Sequence, residues 1–308
     1  MGAYVVRRLF FSLFVLWGAV TIIFLVLRLV PGDPAYIMLG PDADQAQVAA
    51  LRAQLGLDHS LIQQYATYLA NVAHLDFGQS FRLNADSMSL VLQRVPATIQ
   101  LASTALLLSL LIGIPLGVVA ALRAHSWVDR TISVFSLMGQ STPSFWLGIV
   151  LILVFARGLK VLPSAGSGTW SHLVLPTITL ALPFLAILVR LTRSGLLEVV
   201  HEGYVQTARA KGLGEGIVIL VHALRNALIP IVTVVGLQFG ALLGGTVIVE
   251  TVFAWPGVGR LLIDSIGRRD YGVVQASILL VATIFVGINL LVDLVYGFLD
   301  PRVRLAGD

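Results

Sequence analysis

Six histidines, His59, His74, His125, His172, His201 and His222, are the first residues that could do acid–base or metal chemistry. They are scattered among segments separated by long apolar runs and form no H-x-x-x-H pair, so no metal site is expected. The chain has no cysteine, which removes disulfides, thiolate ligands and thiol nucleophiles. No G-x-x-x-x-G-K-[ST] surrounds Lys160 or Lys211, so the chain has no phosphate-cradling loop, and no G-x-S-x-G nucleophile elbow occurs. A non-catalytic chain with no cofactor of its own is expected, and any energy must come from elsewhere.

Charge inside apolar segments is the next place to look. A charged side chain at the centre of a membrane helix costs about 2.5 to 3.5 kcal/mol, so one that persists usually couples to an ion or proton. Here such residues are nearly absent. Asp293, one turn after Asn289, is read as a fixed polar contact between helices, and Glu250 sits at the outer end of its apolar run. Neutral groups remain as candidates for lining a path: Gln140, Ser141, Thr142 and Ser144 around Pro143, and Gln238. A neutral wall suits varied, zwitterionic cargo.

These groups must be positioned by membrane helices. The chain is 57% hydrophobic and 12% charged, with a mean hydropathy of +0.91, and could not expose such a surface to water. Roughly 30 Å of hydrocarbon takes about 20 helical residues, and six stretches qualify: 9–29, 97–122, 131–156, 173–191, 227–249 and 273–299. The first follows Arg7 and Arg8 but is too long for a signal peptide and has no A-x-A site, so it is read as an uncleaved anchor. The net charge of +4 does not point to nucleic acid, because only two lysines occur and the arginines stand singly beside apolar runs. With the N-terminus cytoplasmic, the inside segments carry Arg7, Arg8, Arg123, Arg130, Arg190, Arg193, Arg209, Lys211, Arg225, Arg302 and Arg304. These outnumber the short-loop cations left outside, and the positive-inside rule favours that orientation.

Between the first two spans lies an external region at 31–96. Asp44 can cap one helix running to Gly56, and Ser60 a second running to Ala73, with Val48, Leu51 and Leu55 at helical spacing. Covering the outer mouth is its expected use, ahead of direct substrate contact. Pro115, Pro143 and Pro183 should kink their spans. Gly236, Gly240 and Gly244 recur every four residues, a ridge suited to close helix packing either within one subunit or across a subunit interface.

The most informative segment is the polar loop EGYVQTARAKGLGEGIVILVHALRNALIP at 202–230. On a helix, Tyr204, Ala208 and Lys211 share a face with Thr207 beside them, and Gly212 and Gly214 break it. That is a small docking surface, on the cytoplasmic side in the favoured orientation.

The pattern Gln206-Thr207-Ala208, three residues, then Gly212 resembles the EAA-x3-G loop of permease subunits of ABC importers. Over the full length the chain is similar to B-type permeases of the dipeptide, oligopeptide and nickel branch. The resemblance rests on LRLVPGDPA at 27–35, LGLDHSLIQQY at 55–65, LDFGQS at 75–80, PSFWLG at 143–148, LPSAG at 162–166, ETVFAWPGVGRLL at 250–262 and LDPRVR at 299–304. HALRNALIP at 222–230 stands in place of the wider importer ending and matches this branch. Gly272 stands where the branch usually has proline, which puts a loop conformation in question.

The resemblance implies an all-α integral membrane protein of about six transmembrane helices, with the type I importer permease fold and a small external helical region after helix 1. It divides the chain into 1–96, anchor and external region; 97–300, a five-helix permease core with a cytoplasmic coupling loop at 193–226; and 301–308, a cytoplasmic tail. It further implies one half of a path for peptides across the bacterial inner membrane, with nickel chelates or other small solutes as the alternative cargo. A stand-alone secondary transporter is a weaker reading, since neither ion sites nor a repeated half is seen. The implied partners are a second related permease, two ABC ATPase domains that bind ATP and Mg, and an external substrate-binding protein. Tyr204, Thr207, Ala208, Ala210, Lys211 and Gly212 would carry ATPase docking. The outer loop with Phe253, Trp255, Pro256 and Gly257 would serve as a gate or binding-protein contact.

Overall fold

The computed structural model describes residues 2–29, 34–39, 43–54, 56–80 and 82–299. It divides into two compact units, Met1–Pro96 with Gly257–Leu290, and Ala97–Pro256 with Leu291–Asp308. The first division falls after Pro96. Residues 257–290 pack with the N-terminal unit, and 301–308 lie outside the described residues.

The first unit contains α1 (Gly2–Leu29), α2 (Pro34–Leu39), α3 (Gln45–Gln54), α4 (Leu61–Ala73) and a two-stranded hairpin, β1 (Gln79–Ser80) with β2 (Ala85–Asp86). Ser60 starts α4 as expected: its Oγ accepts from the Gln63 amide, and the Gln63 side chain accepts from the Ser60 amide, a complete capping box. Helix α4 docks on α1 through Phe24 against Tyr65 and Tyr68, with ring centroids 5.1 and 5.5 Å apart. The hairpin, which has no sequence pattern long enough to betray it, pairs Gln79 with Asp86 and Ser80 with Ala85. Val20, Phe77, Val91, Val258, Val273, Ala276 and Leu279 form this unit's core.

The chain then runs through α5 (Ser87–Leu122), α6 (Trp127–Ser141), α7 (Ser144–Leu151) with a widened turn at Ile152–Gly158, and α8 (Trp170–Val199). It continues through α9 (Gly203–Ala210), the single turn α10 (Glu215–Ile217), a widened turn at Val218–Ala223, α11 (Leu224–Val252), α12 (Val258–Gly267) and α13 (Tyr271–Leu299). Among the described residues five helices are long and apolar enough to cross a membrane. The third expected span is not one straight helix, since α6 and the segment Ser144–Gly158 meet at 104°. The cause is local. Proline at 143 disfavours helical backbone at residue 142, and Thr142 takes an extended conformation at φ −79°, ψ 122°. Helices α5 and α8 instead run on through Pro115 and Pro183.

Within the second unit α8 is the most enclosed span, buried over 56% of its apolar window against 29% for α11. Phe184, Leu188 and Leu175 on α8 share a core with Leu101, Ile231, Val249 and Phe253. Helix α5 approaches α8 closely because residue 117 is glycine: a Cβ there would lie 2.5 Å from Thr192 Cβ and 2.8 Å from the Val189 carbonyl. The glycine ridge of α11 is split. Gly236 packs within the chain, its face filled by Val292, whereas nothing stands within 4 Å of a Cβ at Gly244.

Candidate functional site

The loop after α8 folds into a short, closed turn. Helix α9 begins at Glu202, whose carbonyl accepts from the Val205 and Gln206 amides. It ends in a Schellman arrangement: the Gly212 amide donates to Arg209 O at 2.9 Å and the Leu213 amide to Ala208 O at 3.4 Å. Gly212 sits at φ +79°, a left-handed conformation that a Cβ makes costly, so the glycine that marks the motif also ends the helix.

Two further contacts hold the turn shut. Arg209 Nη2 donates to Glu215 Oε1 at 2.7 Å, its Nε reaches both carboxylate oxygens at 3.2 Å, and Nη1 donates to Val200 O at 3.1 Å. The hydrogen bond from Arg209 holds the Glu215 carboxyl below the usual carboxylate range, and the same bond raises Arg209. Neither residue was singled out in the sequence. The available signal was an arginine on the helix and a glutamate just past its glycine break.

Burial corrects the face assigned from spacing. Val205 and Ala208 are buried, packed with Leu196, Val218, Ile219, Ala223 and Ala227. Ala208 therefore lies at the base of α9 and not on its exposed side, where Tyr204, Thr207, Ala210 and Lys211 stand. Spacing relates residues to one another, while the tertiary core decides which side is covered.

The polar groups around the Pro143 break are together by sequence and partly open. Gln140 and Ser141 are exposed, Thr142 and Ser144 half-buried. Gln140 Oε1 accepts from Arg190 Nη1 at 3.2 Å, and Thr142 Oγ1 donates to Met138 O at 2.7 Å. Gln238, half-buried on α11, shares no hydrogen bond with this group among the described residues. At the other end of α6, Asp129, buried in the first turn, accepts from Arg193 of α8. The side chain of Asp293 lies outside the described residues.

The outer-loop assignment also changes. Phe253 and Trp255 are buried, at 1% and 3% exposure, so neither presents a surface to a binding protein. The Phe253 ring fits over Gly148, where a Cβ would stand 3.1 Å from it, and Phe253 O accepts from the Gly166 amide at 2.9 Å. Trp255 Nε1 donates to Ala97 O at 2.9 Å. Both are anchors that fasten the end of α11. Pro256 is half-buried and Gly257 buried. Glu250, fully buried, accepts from Thr98 Oγ1 at 2.7 Å.

Two family models match the chain: the inner membrane component of binding-protein-dependent transport systems over residues 113–305, and the N-terminal part of that membrane component over residues 1–102. The chain is 42% identical over 301 residues to the glutathione transport system permease GsiC of Escherichia coli K12, covering 98% of each chain. It stands at the same identity and coverage to GsiC of Salmonella choleraesuis. Among solved structures it is similar to the MetNI methionine ABC transporter in an inward-facing conformation, with a TM-score of 0.56 at 21% identity, covering 72% of this chain and 98% of that one. An apolar chain of helices with a short closed turn before α11, matched from end to end, belongs to the inner membrane components of binding-protein-dependent transport systems and is an ABC importer permease of the peptide/nickel family.

Proposed function

We propose that this permease forms one half of a path for short peptides, that its α9 turn receives an ATPase subunit, and that the chain itself catalyses nothing. The observation that carries the docking reading is the construction of α9. A buried base of Val205 and Ala208 and a doubly closed C-terminal end hold Tyr204, Thr207, Ala210 and Lys211 outward on a rigid support. Force applied to that face passes into α8 and α11 through the apolar core beneath it. ATP and Mg are held by the ATPase partners, and closure of those partners moves the docked turns and opens the path.

Short peptides suit the polar side chains at the Pro143 break, where Arg190 stands on Gln140, and the similarity to permeases named for glutathione supports that cargo class. The second half of the path is a related but different permease, and both termini face the cytoplasm, as the distribution of arginines favours. Copurification tests the reading: the solubilised complex is expected to bring down an ATP-hydrolysing subunit, and Lys211→Glu to release it. A complex without ATPase activity, or one indifferent to that substitution, would overturn it.

A further inference from the structure

The first unit has a half-open cavity of about 540 Å³ between the end of α1, the α3–α4 turn, α4, the segment leading into the hairpin and the start of α13. Its walls hold an opposite pair of charges that do not meet each other. Arg28 projects from the last turn of α1, its guanidinium 4.3 Å from the Phe24 ring centroid and its Nε donating to Gln64 Oε1 at 2.9 Å. Among the described residues no carboxylate pairs with it. Asp76, exposed, lines the same cavity, with Oδ1 accepting the Gly78 amide at 3.0 Å. The Tyr68 hydroxyl, on a residue of the same lining, is buried with no hydrogen-bond partner among the described residues, and burial pushes its pKa up to about 12, so it stays a neutral donor. Asn71 and Gln275 add amides.

A buried donor left without an acceptor costs about 1–3 kcal/mol, and a ligand that supplies the acceptor recovers it. An anionic group beside Arg28 and Tyr68 supplies the missing acceptor, and an ammonium beside the exposed Asp76 adds a second pairing of opposite charge.

We propose that this cavity is a receptor for a zwitterion, with a short peptide as occupant: its terminal carboxylate on Arg28 and Tyr68 and its ammonium on Asp76. The site shares no residue with the polar groups at the Pro143 break. It rests on the peptide reading above for its occupant and on its own geometry for its chemistry. A phosphatidylethanolamine headgroup offers the same pair of charges, so the test separates the two sources.

The full-length chain is reconstituted in phosphatidylglycerol nanodiscs, and binding of tri-alanine is followed by calorimetry. Tri-alanine is expected to bind, and its C-terminal amide and its N-acetyl derivative each to bind about tenfold more weakly, the scale of one charge-assisted contact. Arg28→Gln is expected to abolish the acid-over-amide preference, Asp76→Asn the amine-over-acetyl preference, and Tyr68→Phe to weaken tri-alanine and its N-acetyl derivative but not its C-terminal amide. The modified peptides probe the unaltered protein, so the proposal stays testable if a variant misfolds. Phosphatidylethanolamine nanodiscs that block tri-alanine in the unaltered chain but not in Asp76→Asn assign the site to lipid and overturn the peptide. Binding indifferent to both ligand changes, or no binding, overturns the receptor itself. Failure to copurify an ATPase would sink the importer mechanism and leave this measurement untouched.

Discussion

Asp129 and Arg193 form a two-pronged ion pair, Nε to Oδ1 at 2.6 Å and Nη2 to Oδ2 at 2.9 Å, that fastens the start of α6 to α8. The carboxylate is almost fully enclosed, accepts the His125 amide at 2.9 Å as well, and is flanked by the Ser126 cap of the same helix. Helix α6 is thus tied to the span that leads straight into the α9 turn.

Breaking this pair from one side leaves a buried charge alone. Arg193→Gln is expected to destabilise the protein by about 3 kcal/mol, the lower end for such a loss because Arg193 keeps some exposure. Replacing both partners, Asp129→Asn with Arg193→Gln, should cost less than the sum of the single changes. Thermal unfolding of the four species in detergent measures the coupling, and additive losses would contradict it.

Gly212 and Gly214 differ in conformation, and substitution should separate them. Gly212 is left-handed at φ +79°, whereas Gly214 has φ −61° and open space around its Cβ position. Gly212→Ala should cost about 1–2 kcal/mol locally and lower ATP-driven uptake, while Gly214→Ala leaves uptake unchanged. Transport assays in vesicles read both, and equal effects would remove the special role given to Gly212.

The Arg209–Glu215 closure gives the turn a pH dependence with a definite sign. The folded-state pKa of Glu215 is depressed by its hydrogen bond with Arg209, so the stabilisation is present above the ordinary carboxylate range. It is lost as pH falls through the lowered folded-state value. Protease nicking near α9 should therefore rise as the medium is acidified below that range, and Glu215→Gln should nick readily at all pH values. A nicking profile shared by the two proteins would refute the assignment.

Gly272 turns a departure from the family pattern into a packing requirement. A Cβ there would stand 2.6 Å from Phe77 O and from Ser87 Oγ, both too close for an unmoved neighbour. Alanine at this position is expected to cost about 1–3 kcal/mol through forced backbone displacement, visible as a lower melting temperature. The adjacent Ser80 Oγ to Asp270 hydrogen bond ties β1 to the residue before α13, so Ser80→Ala should loosen the same corner.

How much was legible depended on whether the deciding interaction was local. Ser60 and Gln63 announce their capping box because the bonds close within three residues, and Gly212 announces the end of α9 because backbone conformation is a property of that residue. Pro143 likewise signalled a break, though not that its two helices would turn through 104°. The Asp129–Arg193 pair spans 64 positions and has no local mark, since either residue alone reads as one more charge near a membrane edge. The exposed-looking FAWPG segment misled for a related reason: Phe253 and Trp255 become core only once Gly148 and Ala97 are brought against them.

By itself the sequence determined that this is a helical membrane protein, where its polar turn falls, and the importer family to which its ordered motifs belong. Hydropathy, caps and glycine conformations act over a few residues and are written directly in the chain. The tertiary structure alone decided that Ala208 is the floor of α9 while Tyr204, Thr207 and Lys211 stand outside, because helical spacing fixes relative faces and only the packed core chooses which one is covered. It alone also brought Arg28, Tyr68 and Asp76 to one cavity, since nothing but the docking of α4 on α1 places them together.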